Sequence, residues 1–428
     1  MTYDALARKL RDSGLVTDPW VHGQPRFGEE PLVLPRDRAA ALASTARRVA
    51  AVFDEVVQIA SEEPDLLELF FGLTPVQRAM FQASGGAWHG IARADVFFTS
   101  DGVQIAELNC DTPTGLPEAV VLSSIFAPPD ADHLDPNVSL ERAFLAMLER
   151  VREARVGPEG PRTVGIVYPT EFTEDLALIK LYKQWLEAAG YGVALGSPYN
   201  LRSSSADPTV RVFDEPVSVL LRHYKTDWWS ERASAWRDEE LLDTAPLREP
   251  LEIALRAELE RRTAIVNPFG AVLPQNKRAM AFMWEHIHRF SIESQDVIRA
   301  HVPVTSRLEA LHPAQLLAQR ADWVLKSDYG AEGEEVLIGR DTPEDVWRES
   351  LGLAAAGRWI AQRFFEAEVD GEGCTTNFGV FVVAGEPRGL YVRKQVGATD
   401  GAALSVPVWI GDSGAPGRGG GPPARGGT

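Results

Sequence analysis

Cysteine is scarce: Cys110 and Cys374 are the only two in 428 residues, and no C-x-x-C pair occurs. That excludes a disulfide scaffold and a thiolate zinc site. No apolar run approaches the ~20 residues needed to cross a bilayer. The first thirty residues carry Asp4, Arg8, Lys9, Arg11 and Asp12 among few apolar side chains, unlike a secretory leader. A soluble cytoplasmic chain is the expectation. Basic charge is in deficit, with 43 Lys and Arg against 61 Asp and Glu and a net charge of −18. Such a surface disfavours nucleic-acid backbone or an anionic membrane as partner. No G-x-S-x-G, H-E-x-x-H or Walker sequence is present.

What is there is a globular composition, 45% hydrophobic and 24% charged, enough for a sizeable core. Pro35 followed by Ala-rich helical periodicity predicts a long helix over Arg36–Ser61. Asp95–Thr99 and Val103–Leu108, separated by Ser100-Asp101-Gly102, predict a β-hairpin. The middle of the chain reads as strand Thr163–Tyr168, helix Asp175–Ala189 and further strands near Tyr191–Leu195, Val210–Phe213 and Val217–Arg222. Glu231–Arg262 reads as helical with interruptions at Pro246 and Pro250, and Lys277–Phe290 as a helix. Strands follow at Trp323–Lys326, Val336–Ile338, Phe378–Val383 and Gly389–Arg393. Without strict βαβ alternation, the fold class expected is α/β (α+β) with antiparallel portions. The Gly, Pro and Arg tail over 411–428 has too little apolar content to order itself and is expected to be disordered.

The segment richest in chemistry is Arg93-Ala94-Asp95, then Glu107-Leu108-Asn109, then Asp111-Thr112-Pro113-Thr114. Residues 107 and 109 share a strand face. With Asp95 they form a hard-oxygen set of the kind Mg²⁺ takes. A polar solvent face closed by an Asx turn at Asp111 is the plainer alternative. Arg93 beside them suits a phosphoryl or carboxylate group held in a bidentate fork. Lys326 leaves a strand into a loop with Gly330 and Gly333, an arrangement that can cradle phosphates. The acids Asp328, Glu332, Glu334 and Glu335 in that loop argue instead for an exposed hairpin loop. Lys277 and Arg393 are further cationic candidates that would otherwise be surface charges. Trp228 and Trp229 wall either a pocket or the core.

Together these pieces resemble the synthetase domain of the glutathionylspermidine synthase family. The resemblance is carried by Gly90 to Phe98, by Glu107-Leu108-Asn109-Cys110-Asp111-Thr112-Pro113-Thr114, and by the twelve-residue interval from Asp95 to Glu107. Val219–Trp229, Asn276-Lys277, Lys326 with its glycine loop, Gln362-Arg363-Phe364-Phe365 and Gly389–Arg393 then follow in the family's order. The resemblance implies a circularly permuted ATP-grasp with an additional open α/β layer, and ATP and Mg²⁺ as cofactors. It implies an ATP-dependent ligase joining a carboxylate, small-molecule or peptide, to an amine. The family's own substrates are glutathione and spermidine.

Carried over residue by residue, Asp95, Glu107 and Asn109 would hold Mg²⁺. Lys277, Lys326, Gly330, Gly333 and Gln362 would contact the nucleotide. Arg93 and Arg393 would act on the transferred phosphoryl group, and Thr112, Thr114 and Glu174 would hold substrates. The implied organisation is a helical segment over 1–84, a metal and substrate portion over 85–160, an α/β substrate layer over 161–262 and a nucleotide portion with a lid over 263–410. The family has a basic residue where this chain has Ala331, followed by Glu332. Losing an arginine that faces phosphoryl charge can cost about 3 kcal/mol of transition-state stabilisation. A catalytically silent relative that binds a nucleotide or peptide is therefore the alternative expectation. The amidase domain of bifunctional members has no room here, which implies ligation without hydrolysis.

Overall fold

The computed structural model describes residues 1–204, 206–330, 335–397 and 399–412. The expected tail falls almost wholly outside them, as do Ala331, Glu332, Gly333 and Glu334. The long helix runs from Arg36 to Glu62, one residue past its expected end. Its Leu42, Ala46, Val49, Phe53, Val56 and Ala60 recur at helical spacing and are buried in the largest core cluster. That stripe lies on one face of a five-stranded antiparallel sheet.

The order across this sheet is Leu404–Val406, Glu386–Val396, Cys374–Val383, Ile91–Thr99 and Gly102–Asn109. The last two strands are the expected hairpin, with the first beginning four residues earlier than its sequence pattern showed. Gly102 turns the chain at φ +119°, a conformation that excludes most side chains.

A second layer is parallel, in the order Ala264–Val266, Val219–Arg222, Thr163–Val167 and Gly192–Gly196. Helices Leu140–Arg155 and Leu176–Ala188 cover one of its faces through Phe144, Leu148, Tyr182 and Trp185. Phe144 and Tyr182 stack with ring centroids 4.8 Å apart. Helix Arg248–Leu259 covers the other face through Leu251, Ala254 and Ala257. A third, antiparallel sheet of Thr305–Arg307, Trp359–Arg363, Trp323–Ser327 and Val336–Ile338 has its own small tryptophan-rich core. Among the described residues no helix is long and apolar enough to cross a membrane.

Two expected helices are shorter than their sequence pattern. Within 231–262 the structure forms a helix only over Arg248–Leu259, with Pro250 in the first turn, where a missing N–H costs little. Residues ahead of it bond elsewhere: Arg237 donates its N–H to the Leu353 carbonyl, and Ala355 donates to the Ala235 carbonyl. In the other case Lys277 caps a helix of Arg278–Glu285, and a 3₁₀ turn over Ile287–Arg289 follows.

Candidate active site

The hairpin register places Asp95 opposite Glu107 and Arg93 opposite Asn109, so all four side chains rise from one face. A register irregularity falls between Asp95 and Val96. On the next strand Gly379 lies opposite Asp95. A Cβ at Gly379 would stand 2.8 Å from the Arg93 Cδ, so the glycine gives the arginine stem its bed. Two residues away Asn377 pairs with Arg393, bringing a second arginine to the same face.

Asp95 is gripped twice. Its Oδ1 accepts from the Arg93 Nε at 2.6 Å, and its Oδ2 accepts from the Arg93 Nη2 and the Arg393 Nη2, each at 2.9 Å. Arg93 also donates through Nη1 to the Thr114 carbonyl at 2.8 Å, fastening the 111–114 segment to the metal-type cluster. The Arg393 Nε and the Asn377 Oδ1 are buried without a hydrogen-bond partner among the described residues.

Glu107 is more open, its side chain 29% exposed. Its Oε1 accepts from the Asn109 amide at 3.0 Å, and its Oε2 lies 3.7 Å from the Lys277 ammonium. Burial alone would raise this carboxyl, but Lys277, Lys326, the Asn109 amide and Arg93 outweigh it and hold Glu107 at about 2. Lys277 also donates to the Gly330 carbonyl.

Lys326 crosses from the third sheet, donating to the Ala106 carbonyl at 3.1 Å and the Gln362 Oε1 at 2.8 Å. Burial pushes its ammonium down to about 8, with Glu107 opposing. The Gln362 amide in turn donates to the Thr305 hydroxyl at 3.1 Å, so this glutamine fixes Lys326 from within the sheet. Asp328, whose charge argues in the sequence against phosphate, is held bidentate by Arg358 at 2.7 and 2.8 Å.

The structure therefore brings together Arg93, Asp95, Glu107, Asn109, Lys277, Lys326, Gly330, Gln362 and Arg393, with Thr114 joined through its carbonyl and, at 3.4 Å, its hydroxyl. Thr112 lies half-buried two residues before Thr114. Glu174 stands apart, exposed in the turn before helix Leu176–Ala188. Its neighbour Asp175 pairs with the buried His223 at 3.1 Å. Gly333 lies outside the described residues.

The sequence reading gives no role to several residues of this region, namely Arg222, Thr226, Asn267 and Gln275. Asp111 accepts from the Arg222 Nη2 at 2.5 Å, the Thr226 N–H at 2.6 Å and the Thr226 hydroxyl. Asn267 donates to the carbonyls of Ile91 and Asp111 and accepts the N–H groups of Gly90 and Ile91. Gln275 accepts the N–H groups of Cys110 and Asp111. Trp229 is wholly buried in the core, whereas Trp228 is partly exposed and touches Tyr224 and Phe172.

The donor set is that of a hard divalent cation. It offers two carboxylates and an amide oxygen on one face, with Glu107 ionised and the Asn109 nitrogen turned toward Glu107 so that its oxygen is available. Thiolates and imidazoles do not enter it. Around these two carboxylates stand four cationic side chains, Arg93, Lys277, Lys326 and Arg393, an arrangement that calls for an anionic ligand.

A protein-family profile described as Glutathionylspermidine synthase preATP-grasp matches residues 6–410. Among solved structures, a glutathione synthetase-like effector (GSS30) from Globodera pallida, in apo form, superposes with a TM-score of 0.58 at 12% identity. The match covers 96% of this chain and 98% of that one. A putative gamma-glutamylcysteine synthetase from Methylobacillus flagellatus KT matches over 88% of each chain at 13% identity and a TM-score of 0.47. No curated protein matches the sequence.

Proposed function

The chain belongs to the glutathionylspermidine synthase preATP-grasp family, and on that premise we propose that it is an ATP-dependent carboxylate–amine ligase forming an amide through an acyl phosphate. What carries this reading is the charge balance at the hairpin: four buried or half-buried cations converge on two carboxylates and leave a net demand for anion. A polyphosphate with its divalent cation meets that demand.

In this reading Asp95, Glu107 and Asn109 hold the Mg²⁺. Bound there, the ion would neutralise phosphate charge and polarise the transferred phosphoryl group. Lys277 and Lys326 hold nucleotide oxygens, Lys326 aimed by Gln362. Arg93 and Arg393 face the charge that develops as the γ-phosphoryl moves to the substrate carboxylate. The carboxylate lies along 112–114, which Arg93 ties to the phosphoryl side. Fixing both reactants in one closed site supplies most of the acceleration, because the chemistry itself needs position and charge. Exclusion of water then matters, since an acyl phosphate hydrolyses once wetted.

The test is calorimetric titration with MgATP of wild type, Glu107→Ala and Lys326→Ala, followed by ADP release with glutathione and spermidine as the probe pair. Saturable binding that both substitutions weaken, with ADP release requiring both substrates, is the expected outcome. Binding without turnover for any carboxylate–amine pair supports the silent relative instead. No binding by folded wild type removes the ligase reading.

A further inference from the structure

The segment 111–114 is clamped at both ends, and the two clamps differ. At the Thr114 end its carbonyl is held by Arg93, the phosphoryl side. At the Asp111 end the carboxylate is held by Thr226, through backbone N–H and hydroxyl, and by Arg222. One residue past Thr226 stands Asp227, within the Val219–Trp229 stretch but given no role of its own by the sequence reading.

Among the described residues no other residue hydrogen-bonds the Asp227 carboxylate, which receives only its own backbone N–H. Its nearest cation is the Arg232 Nε at 3.9 Å, on a side chain that is 44% exposed. The Asp227 side chain keeps 19% of its surface open. Asp111 and Lys225 act on it from its own wall of the cleft. Its charge is felt by Tyr224 on that wall, and by Tyr329 and Arg358 on the opposite, third-sheet side. The bidentate Asp328–Arg358 pair neutralises itself, so the third sheet brings little net charge to meet Asp227. Tyr224, Trp228 and Phe172 form an aromatic wall beside it, with ring centroids 5.3 and 5.7 Å apart, and the Lys225 ammonium lies over Trp228. This wall stands at the carboxyl ends of the parallel strands Thr163–Val167 and Val219–Arg222, where open α/β sheets receive ligands.

The geometry points to Asp227 as the general base that takes a proton from the incoming amine, opposite the phosphoryl-handling end of the substrate segment. The inference rests on the ligase reading. The step balances without any further reactant. An ammonium substrate gives one N–H proton to the Asp227 carboxylate, freeing its lone pair. The nitrogen forms a C–N bond at the acyl carbon, the C–O bond to phosphate breaks, and the second N–H proton leaves with the phosphate. Burial, then the nearby Asp111 charge, push Asp227 up to about 6, against Lys225 and Arg232. It is thus ionised at pH 7 yet a stronger base than a solvated carboxylate.

The experiment uses the full chain with MgATP and glutathione, and compares spermidine with hydroxylamine as acceptor. Hydroxylamine is largely unprotonated at pH 7 and needs no base. Asp227→Asn is expected to lower the spermidine-dependent rate roughly 100-fold and to remove an acid limb near pH 6. Hydroxylamine is expected to restore product formation, now as the hydroxamate, and MgATP affinity should match wild type. An unchanged rate and pH profile with spermidine overturns the role of Asp227 and leaves the ligase reading standing. Equal losses with both acceptors also overturn it, because they place Asp227 in positioning the acyl end. Wild type that neither binds MgATP nor forms hydroxamate overturns the ligase reading first, and the base with it.

Discussion

Asp95 and Glu107 face each other directly across the hairpin, yet they are held in opposite ways. Asp95 is 2% exposed and locked by two guanidiniums, whereas Glu107 opens toward Lys277. In the proposed site Asp95 is the rigidly held ligand of the pair and Glu107 the accessible one. Asp95→Ala strands Arg93 and Arg393 without their counter-charge, so a stability loss of about 3–5 kcal/mol is expected in urea unfolding. Glu107→Ala, at a side chain 29% exposed, is expected to cost less than Asp95→Ala while abolishing ADP release. Equal stability losses for the two would contradict this division.

Lys326 gives the pH dependence of nucleotide binding. Its ammonium is depressed to about 8 in the free protein, and a bound polyphosphate favours the charged form. Binding should therefore take up a proton above pH 8, and MgATP affinity should fall as pH rises from about 7.5 to 9.5. Calorimetry in buffers of different ionisation enthalpy would detect that uptake at pH 8.5. Lys326→Arg should flatten the pH dependence, because a guanidinium stays charged throughout.

At Gly379 the relevant contact is the Arg93 stem, and an added methyl has to displace it. Gly379→Ala is expected to keep the fold, at a cost of about 1–3 kcal/mol. Turnover should fall far more than that cost implies, since Arg93 would lose its hold on both Asp95 and Thr114. Crystallography of the variant would show the guanidinium displaced; an unmoved Arg93 with normal turnover would count against its phosphoryl role.

Glu258 is buried in helix Arg248–Leu259 with its Oε2 unpartnered among the described residues and its nearest cation, Arg155, 4.0 Å away. Burial raises its carboxyl to about 7, with Arg155 opposing. The unfolded carboxyl titrates lower, so the folded state loses stability as pH rises from the unfolded value through 7. Glu258→Gln should stabilise the protein by about 1–3 kcal/mol at pH 8 and by much less at pH 5. Thermal unfolding at the two pH values distinguishes this from a uniform effect.

The hairpin was legible because its signals are local: β-prone runs around Asp-Gly, and a period of two that puts 107 and 109 on one face. Most other strands and the 36–62 helix follow from similar short-range patterns. The stretch before Arg248 was misread because Glu, Arg and Ala favour helix, while its backbone groups are taken by 353–355, a pairing no local pattern reveals. Asp227 and Arg222 escaped for the same reason, since their meaning depends on Asp111, more than a hundred residues earlier. Gly379 reads in sequence as a weak strand residue and becomes informative only when Arg93 is seen above it. The separation of Glu174 from the cluster was equally invisible from spacing.

The strand that carries Asp95 has one neighbour beside it in sequence, Gly102–Asn109, whereas the other, Cys374–Val383, comes nearly three hundred residues later. On the ribosome, then, the hairpin emerges early with one edge bare, and that edge stays unpaired until almost the whole polypeptide has been made. Such an edge invites pairing with other nascent chains. Asp95 and Arg93 on that strand, charged and awaiting Arg393, make it a poor template for apolar neighbours. The same charges that serve the finished site would thus guard its edge during synthesis.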